Sequence, residues 1–282
     1  MLLEHTWGGS ASSRAWISGM NVAEQYGLCA PFFERVQHAP SRTLMLDYDG
    51  TLAPFTTDRM RAFPYRGIPE LISQVMQTNT RVVLVSGRSA RELLFLSGIN
   101  PQPEIWGSHG AERLLQDGSY EVDAPAPDHR QVLQTVKQAL VARGLRDRFE
   151  LKPRSIAVHW RGLAPAQQAE TEAMVRSICE KLARDQGMEL LPFDGGLELF
   201  APGKNKGDAV RTIMQESGQE TAAAYLGDDQ TDEKAFRAIK GKGLAVLVRS
   251  ESRPSLADIW IKPPDEVERF LRDWIQACGG EV

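Results

Sequence analysis

The strongest constraint on the fold is an alternation of short apolar runs with helix-like segments, which begins near residue 41. The runs lie at 43–46, 82–85, 105–106, 222–226, 244–248 and 259–261. Helical patterns lie between or after them, at 68–77, 90–96, 207–216, 232–239 and 266–276. The length and the Val, Leu and Ile content of the runs are typical of buried parallel strands. The alternation therefore predicts an α/β fold with a doubly wound, mainly parallel sheet.

The alternation stops between about residues 114 and 201. The pattern here predicts a helix at 129–143, strands at 149–152 and 156–160, a helix at 165–186 and strands at 188–191 and 197–200. This αββαββ order indicates a second domain inserted into the first. A Pro-rich stretch at 123–128 and Pro202-Gly203 are predicted as its linkers.

These patterns divide the chain into four parts. We predict an N-terminal extension at 1–40, the first part of the core at 41–113, the inserted domain at 114–201 and the second part of the core at 202–282. The extension contains a predicted helix at about 22–36, and no residue of it points to chemistry.

Asp47 and Asp49 follow the first apolar run, in the order Asp47-Tyr-Asp49-Gly50-Thr51. The carboxyl ends of parallel strands line the ligand crevice of such sheets. In an ideal strand, positions i and i+2 face the same side. Two close carboxylates resist joint ionisation unless a cation lies between them, and magnesium is the natural hard cation for oxygen ligands. The alternative is an Asp-rich turn, but the position after a continuous apolar strand favours a site.

Three further signals lie at strand ends or helix starts. Ser86-Gly87-Arg88 offers a hydroxyl and backbone N–H groups that could bind an anion, or could simply cap a helix. Lys206 opens a helix and could neutralise a phosphate, although most lysines are solvated. Asp228 and Asp232 belong to an acidic cluster that could share a cation with Asp47, or could be ordinary acids of a helix N-terminus.

Net charge, cysteine content and the length of the apolar runs argue against a nucleic-acid-binding, disulfide-rich or membrane-spanning protein. The formal net charge is −4, whereas nucleic-acid-binding domains are usually basic. The three cysteines are odd in number and far apart, which favours a reducing cytoplasm over a disulfide framework. No apolar run approaches the roughly 18 residues of a membrane span, and the N-terminus does not resemble a signal peptide. We therefore expect a cytoplasmic protein with no nucleic-acid or membrane partner.

The order of acid pair, hydroxyl, lysine and acid cluster resembles the haloacid dehalogenase (HAD) superfamily of phosphotransferases, over about residues 41–276. Within it the sequence is most similar to the trehalose-6-phosphate phosphatases. The matching stretches are 47–54, 86–88, 107–112, 152–161 and 226–233. The resemblance implies a Rossmann-like HAD core with an inserted αββαββ cap domain, and a small-molecule sugar phosphate as the substrate.

The resemblance also implies roles for individual residues. Asp47 would be the nucleophile, and Asp49 the general acid and base. The phosphate would be held by Ser86, Gly87 and Lys206. The cofactor Mg²⁺ would be bound by Asp47, Asp228 and the backbone carbonyl of Asp49, with Asp232 supporting these ligands. The substrate would be bound by Arg88, His109, Glu150, Lys152 and Glu198, of which the last three would contact the sugar.

One departure from the family pattern leaves the substrate open. Phe200 and Ala201 stand where the family has Arg-Pro, so a cation is missing or is supplied by Lys204. Trehalose 6-phosphate, sucrose phosphate and glucosyl or mannosyl phosphoglycerates are the alternatives. The fold also suits a phosphomutase or a non-catalytic sugar-phosphate-binding module, although the intact acid pair and acid cluster argue against the last. The sequence gives no oligomeric state.

Overall fold

The computed structural model describes residues 26–27, 29–193 and 195–281. Residues 1–25 of the predicted N-terminal extension lie outside that range, and so does the start of its predicted helix. The described residues form two compact units. One contains the chain up to Tyr120 and again from Asn205, and the other contains Glu121–Lys204. The predicted domain boundaries fall near these divisions, and the assignment of domains stays a prediction.

The elements of the chain up to Val122 are helix α1 at Ala30–His38, β1 at Arg42–Leu46, α2 at Ile68–Gln77, β2 at Thr80–Val85, α3 at Ala90–Leu96, β3 at Glu104–Gly107, β4 at Glu112–Leu114 and β5 at Tyr120–Val122. The second unit continues with α4 at Pro127–Ala142, β6 at Phe149–Leu151, β7 at Ser155–His159, α5 at Pro165–Gln186, β8 at Glu189–Phe193 and β9 at Gly196–Phe200. The chain ends with α6 at Lys206–Ser217, β10 at Ala222–Gly227, α7 at Glu233–Ile239, β11 at Leu244–Val248, β12 at Ile259–Ile261 and α8 at Asp265–Ala277.

The larger sheet has eight strands in the order β12-β11-β10-β1-β2-β3-β4-β5. From β12 to β3 the neighbouring strands are parallel. The predicted doubly wound, mainly parallel fold is therefore confirmed. Strand β4 runs antiparallel to β3, and neither β4 nor β5 is predicted from the sequence. Both have only three residues, and β5 is exposed, so no apolar run marks them.

Helices cover both faces of this sheet. Leu44 and Leu46 of β1 point into one apolar core, while Met45 points into the other. On the first face, α8 buries Val267, Phe270, Leu271 and Trp274, which have the i, i+3, i+4, i+7 spacing of a single helix face. Phe32 of α1 packs beside Trp274, with ring centroids 5.9 Å apart. Burial on both faces explains why the strands are continuously apolar rather than alternating.

The second unit has an antiparallel sheet in the order β6-β7-β9-β8. Helices α4 and α5 contribute apolar side chains to the core that this sheet buries. The predicted αββαββ order is confirmed, with each strand boundary shifted by no more than two residues. Register places Glu150, Ala157 and Glu198 level with one another across β6, β7 and β9.

Among the residues that the structure describes, none of the helices combines the length and apolar character that a bilayer crossing requires.

Candidate active site

Two neighbouring strand ends bring the acidic residues of the larger unit together. Strands β1 and β10 are parallel and in register, with Leu46 opposite Leu226. Asp47 follows β1 and Asp228 follows β10, so both leave the sheet at the same edge. The Asp47 amide still donates to the Leu226 carbonyl at 2.8 Å, which continues the ladder by one residue. Asp47 and Asp228 are only 4% and 3% exposed.

Asp232 joins these two residues. One carboxylate oxygen from each of Asp47, Asp228 and Asp232 lies within 4.8 Å of the others. The three residues are separated by up to 185 positions in the chain, so the parallel register of β1 and β10 is what assembles them. The structure thus brings Asp47 and the later acidic residues together at one place, and their roles as metal ligands stay predictions.

Lys206 lies buried between two of these carboxylates. Its Nζ atom is 2.8 Å from Asp47 Oδ1 and 2.7 Å from Asp232 Oδ1. Lys206 is the first residue of α6, and Asn205 and Asp208 close a capping box around that helix start. The cap fixes the direction in which α6 begins, and so it places the lysine. The solvated surface lysine, which was the alternative, is excluded.

Both oxygens of Asp232 are occupied by donors. Oδ1 accepts from Lys206 and from the buried hydroxyl of Tyr225, and Oδ2 accepts from the backbone amides of Asp228 and Asp229 at 3.2 and 3.0 Å. Asp232 therefore orients the lysine and the acidic turn around it. The sequence prediction that α7 begins at residue 232 is wrong by one residue, because a turn of 3₁₀ helix over Gln230–Asp232 precedes it.

The cluster holds three buried carboxylates beside the ammonium group of Lys206, and burial shifts the pKa values of these groups. Burial raises the pKa of Asp47 to about 7, the charge of Asp232 adds to this rise, and Lys206 opposes it. Burial likewise raises the pKa of Asp228 to about 10, and the charges of Asp47 and Asp232 add to it. Burial disfavours the charged form of Lys206, but the charges of Asp232 and Asp47 outweigh it and raise the lysine pKa. Three carboxylates with one ammonium group suit a hard divalent cation as the missing positive charge.

The turn after Asp49 leaves space only for glycine. Gly50 has a φ of +78°, a left-handed conformation that L side chains rarely adopt. A Cβ atom on Gly50 would meet the Asp228 carboxylate and the edge of the Phe55 ring. A side chain here would therefore displace the Asp228 carboxylate.

Asp49 faces a different partner from the one that ideal strand alternation predicts. Its carboxylate accepts two hydrogen bonds from Arg88, Nε to Oδ2 at 2.6 Å and Nη2 to Oδ1 at 2.7 Å. The remaining Nη1 of Arg88 donates to the Arg59 carbonyl. Because β1 has already ended, Asp49 lies in a turn, and the period-two rule no longer fixes its side. The structure thus brings Arg88, predicted as a substrate-binding residue, to the predicted general acid.

Ser86 and Gly87 follow the end of β2, next to β1. Ser86 is buried, and its Oγ accepts from the Arg88 amide at 3.2 Å. A Cβ atom on Gly87 would lie 2.6 Å from the His109 ring, so glycine allows the ring to pack on this turn. His109 and its neighbour Ser108 both have left-handed φ angles, and the His109 amide donates to the Ser86 carbonyl at 2.8 Å. The predicted residues Ser86, Gly87 and His109 are therefore neighbours.

The other predicted site residues lie in the second unit. Lys152 Nζ is 3.0 Å from Glu198 Oε1 and 3.8 Å from Glu150 Oε2. Ser155, which the sequence did not indicate, donates from Oγ to Glu198 at 2.6 Å. Lys152 and Glu198 are both buried, so this ion pair is not a solvent-exposed surface pair. His159 lies near this group, 4.0 Å from Glu150.

Four residues that the sequence analysis did not single out also support the strand-end cluster. They are Tyr225, Glu233, Arg249 and Arg253. Tyr225 lies in the apolar run Ala222-Ala-Ala-Tyr-Leu. A tyrosine hydroxyl inside a buried strand needs a hydrogen-bond partner, so the sequence could have indicated a polar group beside it. The two arginines come from beyond β11, and no local pattern marks them.

Comparison with known sequences finds similarity to trehalose-phosphate phosphatases, both in a family model and in individual relatives. The model of the trehalose-phosphatase family matches residues 45–260. The trehalose-phosphate phosphatase of Mycobacterium marinum is 29% identical over 250 residues, covering 82% of this chain and 60% of the relative. The probable trehalose-phosphate phosphatase 3 of Oryza sativa subsp. japonica is 26% identical over 284 residues, covering 90% and 75%. The chain thus spans about 60% of the length of the mycobacterial relative.

Solved structures share the fold. The C-terminal domain of the Candida albicans trehalose-6-phosphate phosphatase superposes with a TM-score of 0.73 at 18% identity, covering 89% of this chain and 96% of that one. A haloacid dehalogenase-like hydrolase from Bacteroides thetaiotaomicron superposes with a TM-score of 0.62 at 16% identity, covering 82% and 98%. At these identities the likeness concerns the fold alone. Since the family model covers well over half of the 282 residues, this chain belongs to the trehalose-phosphatase family.

Proposed function

We propose that this protein is a magnesium-dependent phosphatase that hydrolyses a sugar phosphate, with trehalose 6-phosphate as its substrate and trehalose and phosphate as products. The observation that carries the proposal is Asp47, a buried carboxylate at a strand end that lies between Lys206 and the Asp228 carboxylate. The names of the relatives support the choice of substrate.

Asp47 would attack the phosphorus atom and form an aspartyl phosphate. One Asp47 oxygen bonds to phosphorus while the bond from phosphorus to the sugar oxygen breaks, and Asp49 gives that oxygen its proton. Water then attacks phosphorus, Asp49 accepts the water proton, and Asp47 leaves as a carboxylate. Splitting the displacement into two steps lowers each barrier, and a sugar oxygen is a poor leaving group that requires a general acid.

Lys206 and the Ser86-Gly87 turn would hold the phosphoryl group. The lysine ammonium already lies 2.8 Å from Asp47, so it is placed to balance the charge of the incoming phosphate. The Ser86 hydroxyl and the Gly87 amide would donate to the phosphate oxygens, since this turn precedes α3. Both Asp49 oxygens accept from Arg88, so Arg88 would orient this carboxylate and release one oxygen when a proton is transferred.

Asp47, Asp228 and the backbone carbonyl of Asp49 would hold Mg²⁺, and Asp232 would orient Asp228 through its backbone amide. The fit rests on the donor set, because carboxylate oxygens are hard ligands and three buried carboxylates lie close together beside the single ammonium group of Lys206. Bound magnesium would neutralise charge on the transferring phosphoryl group.

Glu150, Lys152 and Glu198 would bind the sugar, with their unit acting as a cap domain. Sugar hydroxyls both donate and accept hydrogen bonds, so a group of carboxylates around an ammonium is suited to them. Phe200 and Ala201 replace a cation of the family pattern, so other glycosyl phosphates are the second candidate for the substrate.

The three cysteines are free thiols, which supports our proposal of a reducing cytoplasmic location.

The test is phosphate release from a panel of sugar phosphates with Mg²⁺ present. Trehalose 6-phosphate should give the highest kcat/KM, ahead of sucrose 6-phosphate, the phosphoglycerates of glucose and mannose, and glucose 6-phosphate. A higher value for another member would reassign the substrate. Recovery of an isomeric sugar phosphate instead of free phosphate would indicate a mutase.

A further inference from the structure

The peptide groups on both sides of Asp228 are held by side chains. In the peptide that precedes it, the Asp228 N–H donates to Asp232, and in the peptide that follows it, the Asp229 N–H donates to the same carboxylate. On its carbonyl side, the Asp228 oxygen accepts from Arg249 Nη1 at 3.2 Å and from Arg253 Nη2 at 3.3 Å. Arg253 Nη2 also donates to the Asp229 carbonyl at 2.8 Å. Holding both peptide planes fixes the direction of the Asp228 Cα–Cβ bond, from which the carboxylate extends to within 4.8 Å of an Asp47 oxygen.

Arg253 is itself anchored to the start of α7. Its Nη1 contacts Glu233 Oε1, the same oxygen that accepts from the Ser255 hydroxyl at 2.8 Å, while Glu233 Oε2 accepts from the Leu256 amide at 2.8 Å. The pair is largely buried, with the Arg253 and Glu233 side chains 15% and 17% exposed. Glu233 thus ties the loop after β11 to the helix that follows the acidic turn, and this tie holds the guanidinium against the Asp228 and Asp229 carbonyls.

We propose that Arg253, anchored by Glu233, is a positioning residue that sets the Asp228 carboxylate for Mg²⁺ binding. This inference rests on the proposed function, because it takes the Asp47 and Asp228 pair as the metal site. Residues that orient metal ligands typically contribute 10- to 100-fold to metal affinity. Arg249 also bonds to the Asp228 carbonyl, but it has a single bond there, whereas Arg253 holds two successive carbonyls.

An electrostatic role and a positioning role of Arg253 predict opposite changes in Mg²⁺ affinity when the arginine is removed. As a cation near the site, Arg253 repels Mg²⁺, so a purely electrostatic role predicts tighter binding once it is removed. A positioning role predicts weaker binding, because Asp228 loses its fixed direction. Arg253→Lys separates the two further. It keeps the charge, but a single ammonium cannot hold the fork of contacts that the guanidinium makes to Glu233 and two carbonyls.

The experiment is a titration of thermal stability with Mg²⁺, which reports binding without any turnover. Compared with the wild type, Arg253→Ala should raise the apparent Kd for Mg²⁺ about 10- to 100-fold, and Arg253→Lys should raise it by a smaller factor. Arg176→Ala is the matched control, since Arg176 makes exposed ion pairs with Glu172 and Glu180 on α5. It should leave the Kd for Mg²⁺ unchanged.

An unchanged or lower Kd in both Arg253 variants would overturn the inference. A fall in Tm that is equal with and without Mg²⁺ would make Arg253 a structural residue only, and would overturn it too. If Arg253→Ala does not fold, Arg253→Lys decides alone. Absence of any Mg²⁺ response in the wild type would instead contradict the proposed metal site.

Discussion

Lys206 occupies an environment that is unusual for a lysine, since it is buried between the carboxylates of Asp47 and Asp232. A buried charge is tolerated only with opposite charges and hydrogen bonds around it. The sequence could indicate that Lys206 opens a helix, but not which acids it would meet, because Asp47 and Asp232 come from different strand ends. The same applies to Arg88, whose partner Asp49 lies 39 positions earlier in the chain.

Lys152 in the second unit gives a prediction at this scale. Its ammonium lies close to the carboxylates of Glu198 and Glu150. We expect the three residues to bind the distal sugar, which is the glucose unit without the phosphate. Lys152→Ala should lower kcat/KM for the disaccharide phosphate about 10- to 100-fold, equivalent to about 1.4–2.7 kcal/mol. Hydrolysis of a small aryl phosphate should stay near the wild-type rate, because such a substrate has no distal sugar to bind.

Lys181→Ala is the control, since Lys181 is an exposed lysine paired with Asp185 on α5. It should change neither rate. Equal losses by Lys152→Ala on the two substrates would point to a folding defect, and no loss on either would remove Lys152 from the sugar site.

Strand ends and the turns after them decide the geometry of the site at the scale of elements. The position of the acid pair after a buried strand predicted where Asp47 lies, and the parallel register of β1 and β10 brought Asp228 to it. The turn after β1 was less predictable. Once the strand has ended, alternation no longer determines the direction of Asp49, and only a contact with Arg88 across the sheet edge does so.

Gly50 provides the test of that turn. In Gly50→Ala the new methyl group would strike the Asp228 carboxylate, and the left-handed φ of +78° adds strain. We expect the apparent Kd for Mg²⁺ to rise and kcat to fall, each about 10- to 100-fold. The measurements are a Mg²⁺ titration of Tm and phosphate release.

Gly118→Ala is the control for the strain alone. Gly118 has a φ of +87° but no atom within 4 Å of a new Cβ. It should lower stability by about 1–2 kcal/mol and leave the Kd for Mg²⁺ unchanged. If Gly50→Ala and Gly118→Ala left the Kd for Mg²⁺ and kcat equally unchanged, the close approach of Gly50 to Asp228 would not matter for metal binding or catalysis.

For the whole molecule, strong local patterns were sufficient to predict most of the fold. Continuous apolar runs identified β1, β2, β10 and β11, and turn residues bounded the inserted unit. Strands β4 and β5 escaped prediction because their pairing depends on neighbours in the sheet and not on an apolar run of their own. The network of ion pairs could not be predicted either, since each pair joins elements that are distant in the sequence.

Stability of the whole chain should depend on pH through the acidic cluster. Without a cation, the pKa values of Asp47 and Asp228 rise from the ordinary 3.8 to about 7 and about 10. Between pH 3.8, where these groups titrate in the unfolded chain, and the raised pKa values, the folded protein keeps protons that the unfolded chain has lost. The contribution of these groups to the free energy of unfolding is therefore full below about pH 4 and is lost as pH rises through 7 towards 10.

In chelator, we expect Tm to fall between about pH 5 and about pH 9, and we expect the stabilisation by Mg²⁺ to grow over the same interval, because the cation replaces the protons. Asp228→Asn is the control. It removes one titrating group and should flatten the fall in chelator. A Mg²⁺ effect that was larger at the acidic end would contradict this view of the cluster.

Asp47 is the proposed nucleophile of a sugar-phosphate phosphatase. Asp47→Asn keeps the size and shape of the side chain but removes the attacking charge. The most direct measurement is the rate of phosphate release from trehalose 6-phosphate with Mg²⁺ present, for the wild type and for Asp47→Asn, with circular dichroism spectra to confirm that both are folded.

We predict turnover by the wild type and a loss of roughly 1,000-fold or more in kcat for Asp47→Asn, the order expected when a covalent nucleophile is removed. Release of phosphate by a folded Asp47→Asn protein at a rate near that of the wild type would contradict the aspartyl-phosphate mechanism.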